Sequence, residues 1–231
     1  MATLLLRLAA PLQAWGSGSK FNIRTTEREP TKSGVIGMIA AAMGIQRNDE
    51  AKMSETLSKM NMLKFGIRVD REGKLLKDFH MVFANEMTDA ERRKTSPKDL
   101  NKYIHATERY YLSDAVFLAA LESDSREYLE EIVRALNNPV YPLFLGRRSC
   151  PPTLPLVLGI TDDELVDALE NAEPLSGENN TSKRIVYESY DGGTAVQDVP
   201  VSFSQLHRIH GYRYIKEMIP DYPEHDPMAE L

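Results

Sequence analysis

The sequence predicts an α+β fold with three parts: a ferredoxin-like (RRM-like) domain, a protruding arm inserted between two of its strands, and a small β-rich C-terminal appendage. The order of the patterns is strand, helix, strand, strand, strand, helix, which fits a ferredoxin-like sandwich. A highly polar segment at 85–109 interrupts the strands, and the pattern becomes less regular after Gly159. We therefore expect one domain over 1–159, with its arm at 85–109, and a small β-rich region over 160–231.

The first strand and the first helix are joined by a long connection. The apolar run Thr3–Ala9 predicts a buried strand. The connection at 10–29 is long for a compact domain, where such loops are usually functional or disordered. A helix follows, with Thr31 or Ser33 as its N-cap and Gly44 at its end. Two glycines inside this helix indicate the close approach of another backbone or a ligand, and packing against the sheet is the favoured explanation.

The middle of the chain alternates between helix and strand patterns. A helix at 50–60 precedes a strand at 62–70, and a hairpin turn at 71–73 leads into a further strand at 75–84. The arm at 85–109 is too polar to have a core of its own.

Three more elements lie between the arm and the tail, and the tail itself is less regular. Strand character returns at 110–121, and an amphipathic helix at 125–138 ends before a proline. In the tail, the pattern predicts a short acidic helix at 161–172, a strand pair at 183–203 around two adjacent glycines, and a last strand at 210–219.

Composition limits the class of protein. The chain has 231 residues, of which 42% are hydrophobic, 27% charged and 8% aromatic, as is ordinary for a globular protein. No apolar run is long enough to span a bilayer, and the opening segment lacks the features of a signal peptide. Cys150 is the single cysteine, so no intramolecular disulfide can form. We expect a cytoplasmic protein without membrane contact.

Charge is distributed unevenly along the chain. The net charge of −6 argues against a protein that coats nucleic acid indiscriminately, because non-specific binding needs a basic surface. However, 1–32 contains five basic and two acidic residues, whereas 221–231 contains four acidic residues and no Lys or Arg. A local basic groove on an acidic protein is compatible with this pattern.

The known catalytic and metal-binding motifs are missing from the sequence. It contains no phosphate-binding P-loop, nucleophile elbow or dinucleotide fingerprint, and its histidines lack partners at metal-ligand spacing. We expect no cofactor and no metal. A metal-independent ribonuclease would need only a base, an acid and a cation. Candidates for these roles are His80, Lys102, His105, Tyr110 and Tyr111, but nothing in the sequence brings them together.

A basic pair is the strongest candidate for binding. Arg147 and Arg148 lie in the loop of the segment 143–159, which is bounded by glycine and proline. Guanidinium groups keep their charge and grip two phosphate oxygens at once, although a solvated charge pair is an equally plausible interpretation. Single-stranded RNA is bound by such cations together with aromatic faces. Candidate stacking residues are Trp15, Tyr103, Tyr110, Tyr111 and Tyr141, several of which could equally lie in the core.

Five segments in order carry a resemblance to a known family: RLAAPLQAWG, EPTKSGVIGMIAAAMGI, DFH, ERYYLSDAVF and LGRRSCPPTLPLVLG. Together they resemble the CasD family, the subunits that hold the 5′ handle of CRISPR RNA (crRNA) in the type I-E surveillance complex Cascade, relatives of the repeat-associated RNA-binding proteins. The most specific motifs are P-L-Q-A-W-G at 11–16 and L-G-R-R-S-C-P at 145–151. The resemblance extends to about Gly159 and is poor beyond it.

The resemblance implies a non-catalytic RNA-binding subunit. Its arm would fold over the crRNA and pack on the backbone subunit CasC, and the protein would also seat the large subunit CasA within a complex that includes CasB and CasE and meets target DNA. Matching by motif places four groups of residues near RNA: the loop after the first strand, the start of the first helix, the base of the arm, and the loop near the handle. These residues, with the basic Arg24, are Trp15, Gly16, Arg24, Thr31, Lys32, Ser33, Arg109, Tyr141, Arg147, Arg148 and Ser149. Backbone N–H groups at the helix start would favour a phosphate.

Two alternatives accompany this hypothesis. A related subunit of type I-C systems cleaves CRISPR RNA with Tyr, Lys and His side chains, and we find no convincing counterpart of that set here. The other alternative is a scaffold whose basic loop pairs with acidic surfaces of partner proteins.

Overall fold

A computed structural model describes residues 1–16, 22–83, 93–94, 96, 104–176, 184–204 and 208–219. Within these residues, the strands are β1 (Ala2–Ala9), β2 (Leu12–Gln13), β3 (Ile23–Arg24), β4 (Lys64–Arg71), β5 (Lys74–Phe83), β6 (Ile104–Ser113), β7 (Val116–Ser123), β8 (Val157–Thr161), β9 (Arg184–Glu188), β10 (Thr194–Phe203) and β11 (Arg208–Met218). The helices are α1 (Lys32–Ala42), α2 (Glu50–Asn61), α3 (Arg126–Asn137) and α4 (Leu165–Asn171). Mixed α/β architecture, with sheets that are antiparallel except for the β3–β6 pair and with few helices, confirms the predicted mixture of helices and strands.

The larger sheet has seven strands in the order β10-β11-β9-β4-β7-β1-β8, and the strand pairs in it are antiparallel. Its central strands are covered on both faces and are largely apolar, and β4 also contains the buried ion pair of Arg68 and Asp70. Alternate residues of β1, such as Leu4 and Leu6, pack with α1, α2 and α3 on one face, and α4 packs with Leu118 of β7 on the other face. The main core therefore lies between this sheet and the three longer helices.

A long bent hairpin joins the larger sheet to a second sheet. Arg71 of β4 pairs with Val116 of β7, and Lys74 of β5 pairs with Ser113 of β6, so the register continues across the bend. At the bend, Gly73 has φ of +74°, and a Cβ there would overlap the carbonyl oxygen of Ser113. β6 also pairs with the short strands β2 and β3. The base of a protruding hairpin is thus described over 74–83 and 104–113.

Three details of the predicted strands are wrong. The turn at 71–73 does not close a hairpin, because β4 and β5 lie in different sheets, and the strand predicted at 110–121 is likewise divided between β6 and β7 at Asp114, whose φ is +56°. The two strands around the adjacent glycines do not pair, since β11 lies between β9 and β10. Alternation of apolar residues indicates that a strand exists but does not identify its partner. Most of the arm predicted at 85–109 lies outside the described residues.

Strands from both predicted regions hydrogen-bond in one sheet. β9, from beyond residue 160, pairs with β4 over Gly66–Val69, and β8 pairs with β1. The boundary proposed at residue 159 therefore falls within a strand of the seven-stranded sheet. In the described part of the chain, no helix is long and apolar enough to cross a membrane.

Candidate nucleic-acid interface

An open cleft of about 1220 Å³ lies where the α1–α2 connection, the segment 141–149 and strands β3 and β6 meet. Four separate chain segments contribute five arginines to it, whereas Glu50 is the one acidic residue among the described lining residues. The arginines are Arg24, Arg47, Arg109, Arg147 and Arg148. Charges of one sign focused in a concave surface create a strong local potential even on a protein with a net negative charge. The concentration of arginines makes this cleft a candidate for binding an anion.

The cleft floor is fixed by direct contact between the two sequence motifs singled out above. The N–H of Ala14 donates to the carbonyl oxygen of Leu145 at 3.2 Å, and the N–H of Leu145 donates to the carbonyl oxygen of Cys150 at 2.7 Å. Gly146 has φ of +88°, and a Cβ there would overlap the carbonyl oxygen of Ala14. Only glycine permits both the left-handed backbone and this close approach.

The side chain of Arg147 joins its own loop to the backbone of β6 and of the segment 24–25. Its guanidinium donates to the carbonyl oxygens of Tyr110 at 3.1 Å, Arg24 at 2.8 Å and Thr25 at 3.2 Å. It also lies 4.8 Å from the centre of the Tyr111 ring, within the range of a cation–π interaction. Backbone carbonyls therefore already accept three hydrogen bonds from Arg147, and a contact of this side chain with RNA stays a prediction.

Arg148, Ser149 and Tyr141 present exposed side chains to the cleft. Arg148 makes no hydrogen bond or ion pair with another described residue. Tyr141 is 38% exposed, and its hydroxyl accepts a hydrogen bond from the side-chain amide of Gln46 at 3.2 Å. The Tyr141 ring is thus held in place while part of its surface stays open, which is the condition for stacking on a base.

Arg24 and Arg109 lie side by side at one wall of the cleft. They are register partners in the parallel pair β3–β6, and Arg109 is also opposite Asp78 of β5. Sequence reasoning named both residues, but nothing in the sequence predicted the β3–β6 pairing that brings them together.

Arg47 is the cleft arginine that sequence reasoning missed. It lies in the connection between α1 and α2, beside Gln46 and Asn48, which also line the cleft. The available signal was weak: a polar stretch follows the glycine that ends α1, and no motif marks it.

Trp15 and Tyr111 are core residues. Trp15 is 1% exposed, its indole N–H donates to the Gln13 side-chain oxygen at 3.1 Å, and its ring contacts the Cα side of Gly34. Tyr111 is 6% exposed. Of the two alternatives left open by the sequence, stacking on RNA bases or a place in the core, the structure supports the core for both residues, because the ring of neither has an open face. Gly16 is exposed but is not part of the cleft lining.

The N-terminus of α1 is already occupied by a carboxylate of the same chain. The N–H of Lys32 donates to the Asp198 carboxylate at 2.7 Å, and Asp198 is in turn paired with Arg213 at 2.6 Å. Thr31 is the N-cap, accepting from the N–H of Gly34, and Ser33 beside it is buried. The predicted phosphate site at 31–33 is wrong, since Asp198 provides the negative charge that a helix N-terminus favours.

The Lys32 side chain is buried in an ion pair. It is 1% exposed, and its ammonium lies 2.8 Å from the Glu188 carboxylate and donates to the carbonyl oxygen of Asn61 at 3.2 Å. Burial lowers the pKa of Lys32 below its usual value, and the charge of Glu188 opposes this shift. The Lys32 ion pair therefore links α1 to β9 inside the protein.

The candidate ribonuclease histidines lie on the β5–β6 hairpin. His80 is opposite Thr107 and His105 is opposite Val82, which places the two histidines diagonally on one face. Both are exposed. Lys102 lies outside the described residues. Among the described residues, no group of three His, Cys, Asp or Glu side chains could hold a metal ion.

A family comparison extends over nearly the whole chain. Residues 3–216 match the family described as "CRISPR-associated protein (Cas_Cas5)". The chain belongs to the CRISPR-associated Cas5 family. This match includes the strands beyond Gly159, where the motif resemblance is poor.

Individual members of the Cas5 family are also similar. The "CRISPR system Cascade subunit CasD" of Escherichia coli (strain K12) is 36% identical over 182 residues, covering 76% of this chain and 79% of that protein. A chain of a solved "CRISPR RNA-guided surveillance complex" superposes with a TM-score of 0.76 at 35% identity, covering 94% of this chain and 89% of the other. A solved "Cas protein" superposes with a TM-score of 0.70 at 36% identity, covering 94% of each chain.

Proposed function

We propose that this Cas5 protein is the non-catalytic RNA-binding subunit of a type I-E CRISPR surveillance complex, in which it holds the 5′ handle of the crRNA and caps the CasC backbone for antiviral DNA interference. The observation that carries the proposal is the cleft in which five arginines meet around an exposed tyrosine. Similarity to a Cascade subunit supports the same assignment.

The chemistry of the cleft suits a single-stranded RNA end. Arg148 offers donors to phosphate oxygens, and the partly exposed ring of Tyr141 offers a face to a base. Arg147, Leu145 and Gly146 hold the loop through backbone contacts. A protein with net charge −6 that concentrates its arginines in one cleft would recognise one shaped segment of RNA and would not coat RNA in general.

The surrounding assembly follows from the same proposal. The partners are the crRNA, CasC and CasA, with CasB, CasE and target DNA in the same complex, and the protein acts in the cytoplasm. In this proposal the RNA-binding region is 1–159, predicted to be ferredoxin-like, and its arm at 85–109 reaches across the crRNA to CasC. The β-rich region 160–231 completes the same seven-stranded sheet through β8 and β9. All the proposed RNA-contacting residues belong to the first of these regions.

An endoribonuclease that processes repeat RNA without a metal is the competing function. His80 and His105 share one face of a hairpin, and general acid–base cleavage needs both groups within reach of one phosphate. The two histidines are exposed and lie diagonally to one another. Their side chains form no hydrogen bond with each other in the described structure, so this pair does not orient either ring.

The test compares Arg148→Ala with Arg134→Ala, an exposed arginine of α3 outside the cleft, in the full-length protein with fluorescent repeat-derived RNA in EDTA. We expect Arg148→Ala to weaken binding about tenfold and to reduce the slope of log K against log salt by about 0.7, because one phosphate contact is lost. Arg134→Ala should bind like the unsubstituted protein.

Two results would contradict the proposal. Equal affinities and salt slopes for the two variants would place the RNA elsewhere and would favour the scaffold alternative. Specific RNA cleavage in the same EDTA samples, lost in His80→Ala or His105→Ala, would instead establish the ribonuclease.

A further inference from the structure

A small alcove opens beside the cleft. It has a volume of about 130 Å³ and shares lining residues with the cleft, including Arg47, Phe144 and Gly146. Its floor is the face of α1 that carries Gly37, and Phe203 of β10 forms a wall. An apolar cavity of about 150 Å³ is known to accept a benzene ring, so this space has the size of one six-membered ring.

Two arginines, Arg47 and Arg208, line this alcove. Neither Arg47 nor Arg208 forms an ion pair with a carboxylate in the described part of the chain, and the Arg208 guanidinium lies 5.7 Å from the centre of the Phe203 ring. Arg208 is exposed as a whole, but partial desolvation and the nearby positive charge of Arg47 lower its pKa. Two like charges held close together raise each other's electrostatic energy, and an anion placed between them would relieve this repulsion.

We propose that the alcove binds one unstacked pyrimidine-sized nucleobase ring of the RNA in the cleft, with Arg47 and Arg208 contacting the phosphate that flanks it. The combination of ring-sized apolar space and paired guanidiniums is the chemistry by which proteins recognise splayed-out single-stranded nucleotides. Because the alcove continues from the cleft past Arg47, one strand would occupy both. This inference rests on the proposed function and adds the C-terminal strands to the RNA site.

The first arm of the test fills the alcove. A Cβ at Gly37 would approach the Phe203 ring at 3.5 Å, an ordinary contact, so Gly37→Ala fits and Gly37→Met extends into the same space. Replacing a glycine inside a helix favours the folded state when the site has room. We expect Gly37→Ala to keep or raise the melting temperature, and Gly37→Met to weaken binding of the repeat-derived RNA about tenfold.

The second arm replaces each nucleotide of that RNA in turn by an abasic one. We expect one position at which the abasic change weakens binding to the unsubstituted protein, and we expect that loss to disappear in Gly37→Met, because the base no longer enters the alcove. Arg208→Gln should reduce affinity and salt slope without changing the melting temperature, whereas Arg134→Ala should change none of these. Combining a change in the protein with a change in the RNA in this way separates the loss of one contact from a general loss of RNA affinity.

The outcomes separate the inference from the proposed function. If Arg148→Ala weakens RNA binding but no abasic position couples to Gly37→Met, the RNA lies in the cleft and the alcove proposal is wrong. If Arg208→Gln binds like Arg134→Ala, the flanking phosphate is not held there, which also overturns the alcove proposal. Failure of the full-length protein to bind the RNA at all would overturn both proposals.

Discussion

Arg147 and Arg148 are adjacent and chemically identical, yet their surroundings give them different roles. Three carbonyl oxygens from two other segments surround the guanidinium of Arg147, and Arg148 extends into the open cleft. A buried or half-buried guanidinium must satisfy its donors, and backbone carbonyls meet that need without adding a negative charge to the site. The cleft therefore keeps the positive charge of both residues, while Arg147 uses three hydrogen bonds to hold backbone and Arg148 makes none with the described residues.

Lys32 illustrates how a buried ion pair depends on both partners. We expect Lys32→Met to lower the free energy of unfolding by about 3 kcal/mol, because Glu188 is then left buried without its cation. Lys32→Met with Glu188→Leu should cost less than about 1.5 kcal/mol, because no unpaired charge remains. Urea unfolding monitored by circular dichroism measures both values. A double variant as unstable as the single one would show that the ion pair is not the cause.

The loop 145–150 and the loop after β1 form one unit at the level of elements. Backbone hydrogen bonds join Ala14 to Leu145, and Gly146 lies directly against Ala14. The side-chain amide of Gln13 extends this unit by donating to the carbonyl oxygens of Leu8 and Ala115. The position of Arg148 thus depends on contacts that its own segment does not contain.

Gly146→Ala tests this unit. We expect a loss of about 3 kcal/mol in the free energy of unfolding, since the new Cβ combines a left-handed backbone with overlap on Ala14. Gly192→Ala is the matched control, because Gly192 also has positive φ, +91°, but has no atom within 4 Å of the added Cβ. It should lose about 1 kcal/mol from backbone strain alone. Equal losses would mean that overlap with Ala14 contributes nothing.

Local patterns predicted elements better than they predicted partners. The sequence predicts Thr31 or Ser33 as the N-cap of α1 and Gly44 at its end, both from residues within one turn of a helix end. Thr31 is the N-cap, and Gly44 follows the helix with a positive φ, so both predictions are confirmed. The insertion of β11 between β9 and β10 depends on contacts far apart in the chain. The predictions of site residues have the same limit. The exposure of Tyr141 and the burial of Trp15 depend on which distant residues pack over each ring, and the residue type alone does not indicate this.

Residues before and after Gly159 are connected by strand pairing, an ion pair and a hydrogen bond. β9 pairs with β4 in the larger sheet, and its Glu188 forms the ion pair with Lys32. The carboxylate of Asp198 accepts a hydrogen bond from the first backbone N–H of α1. Removing the C-terminal strands would expose the edge of β4 and leave the Lys32 ammonium buried without its carboxylate. The two predicted regions therefore share their stabilising contacts.

We accordingly expect one cooperative unfolding transition. Trp15 is the single tryptophan and is buried beside α1, so its fluorescence reports the N-terminal part, whereas far-UV circular dichroism reports the strands of both parts. The two signals should have the same urea midpoint. A circular dichroism transition that precedes the fluorescence change would show that the C-terminal strands unfold independently.

The backbone contact between Gly146 and Ala14 has a consequence for the energetics of association. Because the cleft floor is built from main-chain hydrogen bonds already present in the isolated chain, it is preorganised, and the entropy lost on binding is mostly that of the ligand strand. Changes that stiffen the RNA in its bound shape should therefore increase affinity more than changes that stiffen the protein.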